Sequence, residues 1–321
     1  MTSIFLDYNT IGPEELDPTP LKKCLPGLKL FDSTSPEEVS NRVKNAEFIL
    51  TNKVKLFEGN LKTAEKLKFI GLTATGADNI DLDYAKSRNI RVCNIQAYCT
   101  QSVVEHVFGS ILNLTHNIYE YQNLVQNGAW QKSDDFCMLQ YPIRELSSMT
   151  IGIIGYGELG RNVAKMARNF NMQVLVNTRS KNKRNKYEKH VSLQNLLKNS
   201  DVVSLHCPLT DETKHLISNQ ELGLMKPNSI LINTARGALI ESKALFDALI
   251  KNKISGAAID VLPEEPPTEG NVLLDYKGRN LFLTPHIAWG TIEARQNAIN
   301  QLANAILAFN CLLYTSPSPR D

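Results

Sequence analysis

A chain of 321 residues is about twice a typical single domain, so two domains around two cores are the first expectation. Hydrophobic residues make up 42%, charged residues 21%, and the formal net charge is +2. That balance is ordinary for a soluble globular protein and gives no ground for a nucleic-acid or membrane partner.

The N-terminus, MTSIFLDYNT, lacks a basic region followed by a long apolar one. No run reaches about 18 consecutive apolar residues, so neither a signal peptide nor a membrane span is indicated and a cytoplasmic location is expected. The runs IFLD, KLF, EFILTN, FIGLTA and IRVCNI come first, alternating with helical patterns. They predict a small parallel α/β unit. A helical stretch from Thr100 to Gln126 leads into the turn-rich NGAWQKSDDFCMLQYP. A second α/β series follows with strands in IGIIG, QVLVN, DVVSLH, SILINTA, GAAIDV and NLFLTPH. Each is apolar enough to be buried on both faces of a parallel sheet. The last helix, Thr291 to Phe309, has no following strand and is read as returning to the first domain. The domain boundary is therefore placed at two crossover helices, near residues 100 and 290, with a cleft between the domains.

Cys24, Cys93, Cys99, Cys137, Cys207 and Cys311 are scattered without a CxxC pair, mostly among apolar residues. They read as buried free thiols rather than as a disulfide framework or zinc site. His106, His116, His190, His206 and His215 show no paired metal spacing, so no metal is expected. His106 sits in an apolar helical pattern and reads as a packed, hydrogen-bonded residue. Trp130 and Trp289 read as packing residues, with Trp289 close enough in sequence to His286 to wall a site there.

In IGIIGYGELGRNVAKMA, Gly155, Gly157 and Gly160 form GxGxxG between a strand and a helix. The first glycine allows the tight turn, the second lets backbone approach a pyrophosphate, and the third admits close helix packing; Glu158 and Leu159 open the helix whose N-terminus favours the anion. About 20 residues on, a site for NAD usually carries an acidic residue against the ribose hydroxyls. Thr178 stands there instead, followed by Arg179, Ser180 and Lys181. Loss of the carboxylate removes repulsion against a 2'-phosphate, and Arg179 can bind one through charge-assisted bonds. NADP(H) is therefore favoured. The alternative is a solvated basic loop, with Lys183, Arg184 and Lys186, beside a site that also takes NAD(H).

Three separated pieces carry chemistry: Arg236 in NTARGALI, Glu265 in DVLPEEPP and His286 in TPHIAWGT. A guanidinium at the carboxyl end of a strand can grip a carboxylate and polarise a neighbouring carbonyl. A Glu265 carboxylate beside His286 would orient the ring and favour its protonated form for proton delivery. Each residue alone is a weak indicator. Beside a nicotinamide site, the three suit hydride transfer.

At these residues the chain resembles the D-isomer-specific 2-hydroxyacid dehydrogenase family, with HCPLTDETKHLI, KPNSILINTARGALI, GAAIDVLPEEPP and TPHIAW matching in order and interval. QAYCTQSVVEHVFGSIL, NGAWQKSDDFC and TPHIAWGTIEAR are most similar to its glycerate dehydrogenase/hydroxypyruvate reductase branch. The resemblance implies a Rossmann nucleotide-binding domain, a doubly wound parallel sheet, over residues 100–289. A smaller flavodoxin-like α/β catalytic domain would be assembled from residues 1–99 and 290–310. It also implies a homodimer built largely through the Rossmann domains and the excursion near residues 120–145. Residues 311–321, CLLYTSPSPRD, break the helical pattern, resemble translated sequencing-adapter read-through and are expected to be non-native.

By the same resemblance, Arg236 holds substrate carboxylate and carbonyl, His286 is the acid/base and Glu265 its partner. Backbone amides at Thr75 and Gly76 bind the substrate carboxylate, unless that loop is simply a strand-to-helix turn. Cys207 and Pro208 pass near the cofactor's adenosine half, and Thr213, Thr234 and Ala235 join the cofactor site. Asp260 faces the nicotinamide carboxamide or, as a residue at a strand end, caps a turn. The implied substrate is a small 2-oxoacid or 2-hydroxyacid, hydroxypyruvate and glyoxylate first. Alternatives are a 3-phosphoglycerate dehydrogenase and a non-enzymatic, nucleotide-sensing corepressor-like protein.

Overall fold

The computed structural model describes residues 2–179 and 189–311. Ser180 and Lys181, the basic residues Lys183, Arg184 and Lys186, and the tail from 312 onward lie outside the described residues. The chain divides into two compact units, one of residues 2–99 and 289–311, the other of residues 100–179 and 189–288.

In the first unit, β1 (Ser3–Phe5), β2 (Lys29–Leu30), β3 (Phe48–Thr51), β4 (Phe69–Leu72) and β5 (Arg91–Cys93) form one parallel sheet in the order β2-β1-β3-β4-β5. This is the flavodoxin-like order. Its helices are α1 (Thr19–Cys24), α2 (Pro36–Val43), α3 (Glu58–Leu61) and α4 (Leu82–Ser87). Local signals set some of their starts: Ser35 and Glu38 make a capping box with Pro36 in the first turn of α2. Val39, Val43, Ile49, Leu61 and Ile70 form a core on one side. The other side contains Phe5, Phe48 and Phe69 and is completed by the terminal helix through Ala298, Ile299, Leu302 and Ile306.

The second unit begins with α5 (Thr100–His116) and α6 (Ile118–Gln126). The single helix expected from Thr100 to Gln126 is broken at Asn117, whose φ of 52° lies in the left-handed region. Asparagine tolerates that conformation better than most residues, and the Asn117 side chain fastens the bend by donating to the Pro142 carbonyl at 2.8 Å. The sheet contains β6 (Thr150–Ile154), β7 (Gln173–Asn177), β8 (Lys189–His190), β9 (Val202–Leu205), β10 (Ile230–Asn233), β11 (Gly256–Ile259) and β12 (Leu281–Leu283). Interleaved with these are α7 (Glu158–Asn169), α8 (Leu193–Asn199), α9 (Asn219–Leu224) and α10 (Ser242–Ile250); the terminal helix of the first unit is α11 (Ile292–Asn310).

The strand order β12-β11-β10-β9-β6-β7-β8 is that of a doubly wound Rossmann sheet with one added strand. β9, β10 and β11 are buried throughout, as their apolar runs predict. β12 is only half-buried because it is an edge strand. β8 is an unexpected two-residue strand on the opposite edge.

Other expectations need correction. Of the six cysteines only Cys24 and Cys93 are buried; Cys99, Cys137 and Cys207 are intermediate and Cys311 is exposed. Trp130 is 52% exposed, with its indole N–H donating to the Phe136 carbonyl at 3.1 Å, so it packs into no core. It belongs to a stretch in which Ile118, Tyr119, Val125, Phe136, Leu139 and Ile143 are also exposed. Trp289 does pack, edge-on against Tyr98 within the first unit. No helix of the described residues is long and apolar enough to cross a membrane.

Candidate active site

β6 runs into Gly155, whose φ of 92° is closed to most side chains. A Cβ there would stand 2.5 Å from the His206 carbonyl oxygen. At Gly160 it would collide with the Gly155 carbonyl, whereas at Gly157 it would meet open space. Gly155 thus makes the tight turn and Gly160 the close seating of α7 that the spacing predicts, and Gly157 leaves the space beside the turn open. Because β7 and β9 flank β6 on opposite sides, the turn lies at the topological switch point, where open α/β sheets bind ligands. The residues present fit a dinucleotide.

Around this turn several expected cofactor residues are engaged with the protein itself. The Glu158 carboxylate accepts the Thr100 hydroxyl at 2.6 Å. The Thr213 hydroxyl donates to the Pro208 carbonyl at 2.8 Å and accepts the Thr210 amide at 2.7 Å, which makes it a lock within the loop after β9. The Thr234 hydroxyl is buried with no hydrogen-bond partner among the described residues. Thr178 is half-buried, and Arg179 forms an ion pair with Glu212. Burial pushes the Cys207 thiol above its usual range; a backbone hydrogen bond and the nearby Arg179 charge offset this only in part. That suits a packing thiol better than a nucleophile. Burial also pushes His206 down to about 4, and its Nε2 lies 2.8 Å from the Ser204 hydroxyl.

Arg236, Glu265 and His286 follow the carboxyl ends of β10, β11 and β12, three adjacent strands. They line one cavity of about 130 Å³ with Leu209 and Pro263. Asn233, fully buried at the end of β10, accepts the Ala235 amide at 3.0 Å and donates to the Arg236 carbonyl at 2.9 Å. Gly237 then passes so close to Leu262 and Pro263 that a Cβ would overlap their backbone. Close approach of the two loops brings Arg236 beside the Glu265 segment. One Glu265 oxygen accepts the Leu262 amide at 2.8 Å, and the other lies 2.6 Å from His286 Nδ1. The carboxylate is therefore fixed by its own loop before it orients the imidazole.

His286 has a φ of 55°, which is uncommon outside glycine and needs support from its surroundings. Asp260 provides it. Its carboxylate, almost wholly buried, accepts the Thr284 hydroxyl at 2.6 Å and the Ile287 and Ala288 amides at 2.9 Å each. The Asp260 carbonyl accepts the His286 amide at 2.7 Å. These bonds cap the turn that carries His286. His106 Nε2 lies 3.3 Å from the Thr284 hydroxyl, so it is a hydrogen-bonded structural residue behind the loop. Asn233, Thr284 and Glu212 escaped the sequence reading. The partners of Thr284 and Glu212 lie on other strands or loops, whereas Asn233 bonds within its own segment, to Ala235 and Arg236; no local motif announces any of the three.

Thr75 and Gly76 follow β4 in the first unit and line a pocket of about 600 Å³ with Asp78, Asp83 and Asn94. The Asn94 side chain donates to the Thr75 carbonyl at 2.7 Å, tying the loop after β4 to the segment after β5.

The D-isomer specific 2-hydroxyacid dehydrogenase NAD binding domain model matches residues 108–288. The chain is 41% identical over 308 residues to glycerate dehydrogenase of Methylorubrum extorquens, covering 95% of each chain. It is 34% identical over 317 residues to hydroxypyruvate reductase of Blautia hydrogenotrophica, covering 96% of this chain and 97% of the relative. Among solved structures, D-lactate dehydrogenase from Aquifex aeolicus complexed with NAD and lactic acid superposes with a TM-score of 0.84 at 33% identity, covering 97% of this chain and 96% of that one. With its two parallel sheets and the cavity shared by Arg236, Glu265 and His286, the chain belongs to the D-isomer specific 2-hydroxyacid dehydrogenase family.

Proposed function

We propose that this oxidoreductase interconverts a small 2-oxoacid and its D-2-hydroxyacid, with hydroxypyruvate and glyoxylate the preferred oxoacids and D-glycerate the corresponding alcohol. The observation that carries the reading is the 2.6 Å contact between Glu265 and His286 Nδ1 in a cavity shared with Arg236. When bound, the nicotinamide supplies or accepts the hydride. Arg236 holds the substrate carboxylate and polarises the adjacent carbonyl. With Nδ1 committed to Glu265, the other ring nitrogen of His286 serves the substrate. In reduction it protonates the carbonyl oxygen, and in oxidation it takes the proton back. Glu265 stabilises the imidazolium through either half of the cycle.

Thr75 and Gly76 contribute to carboxylate binding by the family resemblance. Arg179 supports a preference for NADP(H) over NAD(H), because it offers a cation where Thr178 has replaced the usual acid. The exposed apolar stretch from Ile118 to Ile143 supports a homodimer, since patches of that kind mark association surfaces. The protein acts in the cytoplasm.

Initial rates of NADPH and NADH oxidation with hydroxypyruvate, glyoxylate and pyruvate test the reading. Turnover with hydroxypyruvate, preference for NADPH and loss of that preference in Arg179→Asp are the expected outcomes. Absence of turnover with every 2-oxoacid would refute the activity. Equal use of both cofactors, unaltered by the substitution, would refute the assignment of Arg179.

A further inference from the structure

We propose that Glu212 sets how strongly this chain discriminates between phosphorylated and unphosphorylated adenine dinucleotides, by opposing the 2'-phosphate at Arg179. The inference rests on the dinucleotide site described above. β6 lies between β7 and β9, so the loops leaving β7 and β9 stand on either side of the glycine turn. Arg179 comes from the β7 side and Glu212 from the β9 side, and their side chains meet in an ion pair. The carboxylate absent at Thr178 is thus delivered from the other side of the site.

Glu212 does not hang on a loose loop. Its neighbour Thr213 is 8% exposed, and the Thr213 hydroxyl ties the segment through Pro208 and Thr210. The ion pair with Glu212 places the Arg179 guanidinium against the same loop. The two paired side chains are 68% and 72% exposed. A pair so exposed contributes little to folding stability. Its larger consequence is the charge it presents to a ligand.

A 2'-phosphate entering beside Arg179 must share the guanidinium with Glu212 or displace it. The carboxylate repels the phosphate at close range, and the repulsion is softened by water and salt. An unphosphorylated ribose suffers no such conflict, and its hydroxyls can donate to a carboxylate. Arg179 and Glu212 therefore pull selectivity in opposite directions. Together they leave the chain able to use both nucleotides while favouring the phosphorylated one.

The test is calorimetric titration of the ligand-free protein with adenosine 2',5'-bisphosphate and with 5'-AMP, which report binding without turnover. At low salt, Glu212→Gln should tighten the bisphosphate about threefold to tenfold, with the gain shrinking at high salt. Binding of 5'-AMP should change less than threefold. Arg179→Ala should weaken the bisphosphate about tenfold or more. The ratio of kcat/KM for NADPH over NADH should rise in Glu212→Gln by the factor by which bisphosphate affinity rises relative to 5'-AMP affinity. Unchanged or weaker bisphosphate binding in Glu212→Gln would overturn the proposal while leaving the dinucleotide site intact. Failure of the wild-type protein to bind either nucleotide would overturn both.

Discussion

Substituting Asp260 by Asn tests whether the carboxylate acts through the His286 loop. Three donors converge on it: the Thr284 hydroxyl and the Ile287 amide on one oxygen, and the Ala288 amide on the other. An asparagine has one acceptor oxygen and one NH2 group. Whichever way the amide turns, at least one backbone N–H faces another donor in a buried place. That leaves a desolvated group costing about 1–3 kcal/mol, and the remaining bonds lose their charge assistance. We expect a loss of about 2–4 kcal/mol in stability, read as a fall in Tm of roughly 3–6 °C for a protein of this size. The catalytic consequence follows from the backbone of His286, held at a φ of 55°. Once the loop relaxes, a displacement on the order of 1 Å in the acid/base suffices to lower kcat roughly a hundredfold. The assay is kcat and KM for NADPH and for hydroxypyruvate below the new Tm. A fall in kcat with KM for NADPH within about threefold supports loop anchoring. Near-normal kcat with a strongly raised KM for NADPH would refute it, because that pattern belongs to a carboxylate that touches the cofactor.

Glu265→Gln keeps the shape of the side chain but removes the carboxylate charge from the bond to His286, a loss of about 1–2 kcal/mol. Reduction of hydroxypyruvate should slow about fivefold to thirtyfold while Tm barely moves, since the pair is partly exposed; a rate within twofold of wild type would count against the role of Glu265. Gly237→Ala should separate the Arg236 and Glu265 loops, because the new Cβ overlaps backbone rather than a flexible side chain. A kcat/KM reduced at least a hundredfold is expected, and a value within threefold would show that the two loops need not touch. Burial raises the Asp201 carboxyl, but the Thr150 amide, Lys226 and Arg144 outweigh it and hold the group below the usual carboxylate range. A depressed folded value contributes stability above the unfolded value and loses it as pH falls through the folded one. Stability should therefore decline below about pH 4, and Asp201→Asn should flatten that decline while costing about 1–3 kcal/mol at neutral pH; equal acid sensitivity in the two proteins would contradict the assignment.

The parts of this molecule legible in its sequence are those whose physics is local. Apolar runs report strands buried on both faces, and the spacing of Gly155, Gly157 and Gly160 reports a turn that excludes side chains. Asn117 is different: nothing in NLTHNIYEY distinguishes a residue that bends a helix from one that rides on it. The bend depends on a bond to Pro142, which is distant in sequence. The same holds for Trp130, whose indole resembles a core residue until the fold leaves it outside.

The candidate site divides along the same line. Arg236, Glu265 and His286 could be named from their own segments, but most of their support could not. Asn233 holds the Arg236 loop, Gly237 lets it meet Leu262 and Pro263, and Asp260 fixes the backbone of His286. Asn233 acts within its own segment, but Gly237 and Asp260 act across the carboxyl edge of β10, β11 and β12, so their roles exist only once the strands are side by side. Glu212 extends the argument to the cofactor side. Read locally, VLVNTRS carries a cation and no acid and therefore favours a 2'-phosphate. Once β9 is set beside β6, the acid is present after all, contributed by a loop that the β7 segment does not contain. Selectivity at such a site is a difference between opposing charges, and only one of the two charges can be read from the segment that follows the fingerprint.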